Sequence, residues 1–466
     1  MISYMTYPAV RARRTLAAIA LAMLPVAACT STDELLSVTD PDIINPIDVQ
    51  SPAGANAVRL GALTRLNQAT SGQNTANTES LFLLGGLFAD EWNNGDSFIA
   101  RQEVDQRVIT IQNNFLTDAN RALHRARLAA SLATDLLREW SPTGPAAELA
   151  EMYFVQAYVE NIIAEHYCNG IIISTVKEGE TIYGDPSTVN ETLDLALAHA
   201  DSGLALITGT SAADVRIRNA LRVVKGRILV NLNRQADAAT AVNGVPTNFA
   251  YQMLHSVTTS QTQNQIWNFN NNARRYSVST GEGTNGLNFA TANDPRVPTC
   301  QGGDPTCRAI GVTTTTRDDL TLPFYVQRIW TVREAPVTIV GGIEARMIEA
   351  EAQLKAVQAA ASLATLNAAR TTVTGLAPLT DPGTDAARVD QLFRERAFWM
   401  FSTGHRVGDM RRLIRQYGRA ANTVFPVGAW HKAGSYGGDV TIPLPLAEQN
   451  NPNLPTSAST CIDRVA

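Results

Sequence analysis

Residues 389–418 of the chain have the sequence VDQLFRERAFWMFSTGHRVGDMRRLIRQYG. Apolar residues recur there every three or four positions on both sides of Gly404, which predicts two amphipathic helices with a break at that glycine. Gly404 suits a helix C-terminus, where a left-handed backbone is favoured. Charged or titratable residues stand among the large apolar ones: Arg394, Glu395, Arg396, His405, Arg406, Asp409, Arg411 and Arg412. Because an unpaired buried charge is costly, we expect these residues to form a buried, salt-bridged corner.

This charge pattern resembles the C-terminal signature of the SusD/RagB family of outer-membrane nutrient-binding lipoproteins. The matching residues are Arg394-Glu-Arg-Ala-Phe, Gly404-His-Arg, Asp409 and Arg411-Arg412. A second match follows in the same order as in the family, at residues 440–454, VTIPLPLAEQNNPNL. The chain departs from the family pattern at residues 400–403, MFST, where the family often has an acidic residue.

The N-terminus is typical of an exported lipoprotein. Arginines at 11, 13 and 14 precede an apolar run, Leu16 to Ala28, that is too short to span a bilayer and suits a signal peptide. The run ends in VAAC, residues 26–29, which resembles a bacterial lipobox and predicts lipidation of Cys29. The alternative is an ordinary signal peptide with a cysteine there by chance. We expect a signal peptide at 1–28 and an irregular tether at 29–51.

Composition limits the function classes. The chain has 466 residues, 45% of them hydrophobic, so a large core can form. Its formal net charge is −5, and removal of the arginine-containing leader makes the remainder more acidic, which argues against a nucleic-acid partner. No histidine has ligand spacing to a cysteine, so we expect no metal site and no cofactor.

Four cysteines remain after Cys29: Cys168, Cys300, Cys307 and Cys461. An even number in an exported chain suggests disulfides. We expect Cys300 and Cys307 to close a small loop, and Cys168 and Cys461 to tie the tail to the helical body. The sequence leaves the other two pairings open.

Helical periodicity dominates residues 52–244 and returns in 342–466. Long alanine-rich helices joined by short turns predict stacked helical hairpins. One of them, GRILVNLNRQADAATAV at residues 226–242, resembles a tetratricopeptide unit, although an ordinary helical hairpin is equally compatible. A helix from Glu344 to Leu354 also resembles one of the SusD family, and we expect it to serve packing. The predicted fold class is mostly α, with tetratricopeptide-like helical hairpins and a loop-rich ligand-binding region packed on them.

Residues 245–341 form the predicted loop-rich, ligand-facing insertion. Aromatic residues alternate there with Asn, Gln and Arg, a combination that suits sugar binding because a pyranose stacks on a ring while its hydroxyls meet amides. A polar loop region that caps the helices is the alternative. We expect the loop after the second helix, residues 90–94, to join this face. The candidate ligand-binding residues are Trp92, Asn93, Trp267, Tyr276, Trp330 and Arg333.

Within that set, Trp267 and Trp330 are predicted to stack on the ligand. Asn93 and Arg333 are predicted to meet its polar groups. The alternative is that Trp92 and Trp330 belong to the core.

The family resemblance implies a lipid-anchored, surface-exposed protein of the outer membrane. Such a protein binds a glycan or peptide and delivers it to a TonB-dependent (SusC-like) transporter. We predict no catalytic residues: GEGTNG at 281–286 matches G-x-G-x-x-G but lacks a preceding buried strand, and no nucleophile stands near His405 and Asp409 in sequence. The alternatives are a polysaccharide-degrading glycoside hydrolase, for which Asp90-Glu91 offers paired carboxylates, and a helical scaffold for envelope proteins.

Overall fold

Helices dominate this computed structural model, which describes residues 49–72, 79–177, 180–454 and 461. About 52% of the described residues are helical, and the strands among them are few and short, which confirms the predicted mostly α fold class. The helices of the described part are α1 (Pro52–Thr70), α2 (Leu81–Phe88), α3 (Ile99–Gln106), α4 (Asn114–Trp140), α5 (Ala146–His166), α6 (Val189–Leu206), α7 (Ala212–Asn231), α8 (Gln235–Val242), α9 (Gln265–Trp267), α10 (Pro305–Arg308), α11 (Gly342–Lys355), α12 (Ala359–Arg370), α13 (Asp385–Trp399), α14 (Arg406–Tyr417) and α15 (Ala421–Val424).

The described strands pair only in twos and always antiparallel. They are β1 (Trp92–Asn94), β2 (Ile171–Ile172), β3 (Thr175–Lys177), β4 (Glu180–Ile182), β5 (Pro186–Ser187), β6 (Ala250–Met253), β7 (Tyr276–Val278), β8 (Thr299–Gln301), β9 (Tyr325–Gln327) and β10 (Val337–Gly341). The pairs are β1 with β7, β2 with β5, β3 with β4, β6 with β10 and β8 with β9. Short 3₁₀ turns at Ser260–Thr262 and Leu446–Asn450 and a π turn at Asn268–Asn272 complete the secondary structure.

Neighbouring helices pack as hairpins, with α4 against α5, α5 against α6, α7 against α8 and α11 against α12. Fully buried alanines, such as Ala126 and Ala130 on α4 and Ala157 on α5, allow the helices to approach closely. Gly226 has the same role between α7 and α8, because a Cβ there would lie 2.5 Å from Cγ1 of Val242. The small residue of the tetratricopeptide-like segment therefore lies at a helix crossing.

Capping explains where several helices begin. Thr188 and Glu191 form a capping box at the start of α6, and Ser211 and Asp214 form one at the start of α7. In each box two of the amide hydrogens that a helix N-terminus leaves unpaired find side-chain acceptors. These caps determine where α6 and α7 begin.

The helices of the signature segment are α13 and α14. The prediction that Gly404 ends the first of them is wrong, because α13 ends at Trp399 and Met400 is its C-terminal cap. Gly404 instead lies in the turn that follows, at φ +73°, and a Cβ there would be 2.7 Å from the ring of Phe82. Its left-handed backbone and its close approach to α2 both require glycine.

The helix that precedes the predicted loop at residues 90–94 is short. It runs only over Leu81–Phe88, and Trp92–Asn94 forms β1, which pairs with β7 so that Trp92 lies opposite Val278 and Asn94 opposite Tyr276. A strand partner 184 residues away in the sequence therefore overrides the local helical pattern.

The loop-rich segment begins and ends at one antiparallel pair, β6 with β10, in which Ala250 faces Gly341 and Met253 faces Val337. Disulfides join Cys300 to Cys307 and Cys168 to Cys461. The predicted signal peptide, Cys29 and nearly all of the tether lie outside the described residues. In the described part, no helix combines the length and apolarity that a membrane span needs. The proposed domain boundaries remain predictions.

Candidate functional site

The charged residues of the signature form a buried, paired corner. Asp409 accepts two hydrogen bonds from Arg396, at 2.7 and 2.8 Å, and a third from Arg412 at 2.8 Å. Arg412 also pairs with Glu351 on α11. Burial alone would raise the pKa of Asp409, but Arg396 and Arg412 hold it well below the ordinary value. The carboxylate is therefore fully ionised and fully bonded.

The other arginines of the corner bind neighbouring elements. Arg406 makes a two-point ion pair with Asp90, at 2.7 and 2.8 Å. Arg411 donates to the backbone oxygens of Ala164, Glu165 and Tyr167, at 2.8, 2.7 and 3.2 Å. Those carbonyls lie at the C-terminal end of α5, where the helix leaves acceptors unpaired and favours a positive charge.

Arg394 is the exception to the predicted corner. It is exposed, and its guanidinium lies over the ring of Phe398 at 4.8 Å. Its neighbour Glu395 is buried and pairs with Arg296 and Arg370. The prediction of a buried position was therefore wrong for Arg394, because its place on α13 faces outward.

Three of the candidate ligand-binding residues, Trp92, Asn93 and Tyr276, lie on the β1–β7 pair and are buried. Trp92 has no exposed surface, and its Nε1 donates to Oγ of Ser402 at 3.0 Å. Asn93 donates to the carboxylate of Glu282. Tyr276 is also fully buried and packs edge-on against Trp92, with ring centroids 6.2 Å apart. In this conformation none of the three can stack on a ligand, and Trp92 has the core position that the sequence left open.

The other three candidates lie close together around the loop at 330–335. The guanidinium of Arg333, an exposed residue, lies 5.4 Å from the ring centre of Trp267, which is half-buried. The backbone of Arg333 accepts from the amide of Asn264 at 2.7 Å. Trp330, only 7% exposed, turns inward, and its Nε1 donates to the carbonyl of Pro336 at 3.1 Å.

Trp330 lines a cavity of about 810 Å³, a size that suits a small organic ligand. The cavity lies where the loop-rich segment meets the end of α13, and exposed residues such as Ile329 stand at its edge. Its aromatic lining residues are Phe249, Trp330, Phe398, Trp399 and Phe401. Its charged or titratable lining residues are Arg296, Glu344 and His405.

The charges of the cavity differ in how they are paired. Arg296 is bonded to both Asp294 and Glu395, each at 2.6 Å, so its charge is balanced. Glu344 is only 1% exposed, and neither of its carboxylate oxygens has a hydrogen-bond partner in the described part of the chain. The indole N–H of Trp399 lacks a partner as well. Oε1 of Glu344 lies 3.1 Å from Nε2 of His405, which is its ion-pair partner when the imidazole is protonated. The indole N–H of Trp399 is thus the donor that this aromatic cavity leaves open within the described structure.

Sequence reasoning identified Trp330 but missed the other principal groups of this cavity. The helix that begins near Glu344 was expected to serve packing only, and the structure shows that its first turn lines the cavity. A signal was present, because Glu344 is an acidic residue next to the core residues Ala345 and Met347. Trp399 was assigned to a buried helix face, and its position at the end of α13 exposes one side to the cavity.

A second acidic region surrounds β1. Burial raises the pKa of Glu91 to about 8, against the opposing effect of a hydrogen bond from the amide of Ser402 at 2.8 Å. Burial also raises the pKa of Glu79 and of Asp105 to about 7 in each case. Among the described residues, no group of three or more His, Cys, Asp or Glu residues is arranged to hold a metal ion.

Comparison with known proteins shows which fold this is. A SusD superfamily protein from Parabacteroides distasonis is 14% identical, with a TM-score of 0.64 over 86% of this chain and 98% of that one. A SusD/RagB family protein from Bacteroides thetaiotaomicron is 11% identical, with a TM-score of 0.58 over 86% of this chain and 94% of that one. A SusD-like carbohydrate binding protein from Bacteroides vulgatus is 12% identical, with a TM-score of 0.53 over 77% of this chain and 83% of that one.

No protein-family model matches the sequence, and no curated protein matches it. At these identities the likeness is one of fold. The chain has the fold of the SusD superfamily, which confirms the resemblance indicated by the signature segment.

Proposed function

We propose that the chain binds an oligomeric nutrient, a glycan or a peptide, in the cavity between the loop-rich segment and α13. The observation that carries this proposal is the aromatic lining of an 810 Å³ cavity with few polar groups, among them Glu344 and the indole N–H of Trp399. Apolar walls with a few directed polar groups are typical of ligand sites. The fold shared with a SusD-like carbohydrate binding protein supports the same class of function.

The cavity favours binding over catalysis. Of its described lining residues, only Glu344 carries a carboxyl group. A glycoside hydrolase generally needs two carboxyl groups on either side of the scissile bond. Asp90, which the sequence offered for that role, is tied to Arg406. We infer that the protein binds its ligand without turning it over.

The cellular setting is part of the proposal. The lipobox-like sequence that ends at Cys29 would anchor the protein in the outer membrane, exposed at the surface. From there the protein would deliver its ligand to a TonB-dependent transporter of the SusC type. Replacement of Cys29 by Ser should move the protein from the membrane fraction to the soluble fraction, and unchanged membrane association would contradict the anchor.

The ligand proposal is tested by calorimetric titration with a panel of oligosaccharides and oligopeptides, together with product analysis. Trp330→Ala should weaken binding of the ligand by about 2 kcal/mol or more, as is usual for a buried aromatic contact. Trp140→Ala, at the end of α4 and outside the cavity lining, is the matched control and should bind as the wild type does.

The Trp267→Ala variant tests separately whether the surface pair of Trp267 and Arg333 contributes to ligand binding. If that variant and Trp330→Ala both fold and both keep full affinity, the site assignment is wrong. Release of shortened products from any oligosaccharide would favour the hydrolase alternative.

A further inference from the structure

We propose that a second pocket, on one face of α4, binds an oxyanion group: a phosphate, a sulfate or a carboxylate. The pocket has a volume of about 230 Å³, which is below the usual range for whole ligands and suits one small group. It shares none of its lining residues with the aromatic cavity, so this inference is independent of the proposed function.

The pocket has one helical wall and two walls from other parts of the chain. The residues of α4 that line it are Thr117, Asn120, Arg121, His124, Arg127 and Leu128. Their spacing of three and four positions places them on one face of the helix. Ile172 of β2 and the nearby Ser174 form a second wall, and residues from 445 to 448 form the third. Segments far apart in the chain therefore enclose a helix face that carries two arginines.

Arg127 is the central group of this face. It is only 3% exposed, and one of its terminal nitrogens, Nη2, donates to the carbonyl of Ser174. Its Nε has no hydrogen-bond partner, and no ion pair joins its guanidinium to a carboxylate within the described residues. Glu160 of α5 attracts it from a distance, but that carboxylate lies 2.7 Å from Nδ1 of His199 as its ion-pair partner.

A buried arginine of this kind is unusual. Charged side chains are rarely buried unless they are paired, because loss of hydration is costly. Burial accordingly lowers the pKa of Arg127 from its ordinary value. An anion in the adjoining pocket would supply the missing countercharge and would be held in a place that water screens poorly.

The other titratable groups of the pocket leave this positive charge in place. Arg121 is exposed and pairs with Asp118 one turn away at 3.1 Å, a surface contact that a ligand can replace at little cost. Burial and the charge of Arg127 lower the pKa of His124 to about 3, so its ring is neutral at physiological pH. Glu448 lies on the third wall, and no ion pair joins it to either arginine in the part of the chain described.

The donors of the pocket suit oxygen atoms. A guanidinium is a planar set of N–H groups that matches the geometry of carboxylate and phosphate, and hydrogen bonds between charged groups are the strong ones. The hydroxyl of Ser174 accepts from the amide of Gly184 at 3.2 Å, so its own hydrogen can point to a ligand oxygen. Arginine repels ammonium groups and metal ions, which the pocket should therefore exclude.

The test is calorimetric titration of the whole protein with inorganic phosphate, sulfate, acetate, glucose 6-phosphate and glucose, at constant ionic strength set with sodium chloride. At least one anionic probe should bind with saturation and raise the melting temperature, because a ligand of the folded state stabilises it. Glucose should not bind to this pocket. Tighter binding of glucose 6-phosphate than of phosphate would assign the anion to a sugar ligand, and the reverse order would assign a free ion.

Variants assign the binding to residues. Arg127→Gln should weaken binding of the anionic probe about tenfold or more, the usual effect of losing hydrogen bonds to a charged group. Arg121→Gln should weaken it by about threefold or more. Arg125→Gln is the matched control, because Arg125 is an exposed residue of the same helix outside the pocket lining and the change of net charge is identical. It should bind the probe as the wild type does.

Three results would overturn the inference: no binding of any anionic probe, full affinity in a folded Arg127→Gln variant, and equal losses in Arg121→Gln and Arg125→Gln. Circular dichroism establishes whether Arg127→Gln folds. If it does not, the comparison of Arg121→Gln with Arg125→Gln still decides the question, because both positions are exposed.

Discussion

Asp409 and Glu344 are two buried carboxylates on helices that meet at the same corner, and their surroundings are opposite. Asp409 accepts three hydrogen bonds from two arginines, whereas the ion-pair partner of Glu344 is a single histidine, with Nε2 of His405 3.1 Å from Oε1. Asp409 lies in the interior of the corner, and Glu344 lines a cavity. A buried charge with several fixed donors holds elements together more strongly than one with a single partner at the wall of a cavity.

Glu91 is a third case, because it is buried and makes no ion pair within the described structure, while the nearby Arg406 is bonded to Asp90. It accepts a hydrogen bond from the backbone amide of Ser402, and its other oxygen has no partner in the described structure. Burial accordingly raises its pKa to about 8. The three carboxyl groups should therefore respond differently to mutation and to pH.

The largest effect is expected at Asp409. Asp409→Ala leaves Arg396 and Arg412 buried without their shared partner and should lower the free energy of unfolding by about 3–5 kcal/mol. The measurement is urea unfolding followed by circular dichroism. The matched control is Asp390→Ala, which breaks an exposed ion pair with Arg419 and should cost less than about 1 kcal/mol. Similar losses of unfolding free energy in the two variants would show that burial does not strengthen the ion pairs of the corner.

The pH dependence of stability should have opposite signs for Asp409 and Glu91. The lowered pKa of Asp409 means that its contribution is present above the ordinary value of 3.8 and is lost as the pH falls through the lower, folded-state value. The raised pKa of Glu91 means that its folded form holds a proton that the unfolded form has released, so stability falls as the pH rises from 4.5 towards 8.

Glu91→Gln isolates the second of these effects. Between pH 4.5 and about 8, Glu91 should lower the free energy of unfolding of the wild type by up to about 1.4 kcal/mol per pH unit. This slope should be absent from the variant. Chemical unfolding at a series of pH values measures it. An unchanged slope in Glu91→Gln would mean that Glu91 is ionised in the folded protein at neutral pH.

A smaller effect on stability is expected at Glu344. Since its carboxylate has one ion-pair partner, His405, where Asp409 has two arginines, Glu344→Gln should lower the free energy of unfolding by about 1–2 kcal/mol, less than Asp409→Ala does. A loss as large as that of Asp409→Ala would show that Glu344 is a structural charge, and the contrast between the two carboxylates would fail. The same urea titration makes the comparison.

The smallest effect is expected on the surface of the loop-rich segment. Arg333→Ala removes a guanidinium that lies over Trp267 and should cost about 0.5–1 kcal/mol of stability, the usual size for an exposed cation–π contact. A thermal melt compared with that of Arg328→Ala, an exposed arginine on the same segment, measures the difference. A loss above about 2 kcal/mol would place Arg333 in the core rather than on the ligand-facing surface.

Local sequence patterns were sufficient to predict the helices and the buried ion pairs of the corner. The periodicity of residues 52–244 located the long helices, and the clustering of arginines with Asp409 predicted buried ion pairs. The local pattern did not predict the position of Trp92, because its strand pairs with residues 276–278 and places the side chain in the core. It failed at Glu344 because a helical pattern does not show that His405 and a cavity lie beside the carboxylate.

The sequence by itself determined the helical architecture and the need for partners around the buried charges, because periodicity and charge are properties of residues near one another in the chain. It also indicated that aromatic residues gather between 245 and 341. Only the tertiary structure decided which aromatic rings line a cavity, which lie in the core, and which partner each buried carboxylate has. Those outcomes depend on contacts between elements far apart in the chain, such as Trp330 with Trp399 and Glu344 around one cavity, and no local pattern contains them.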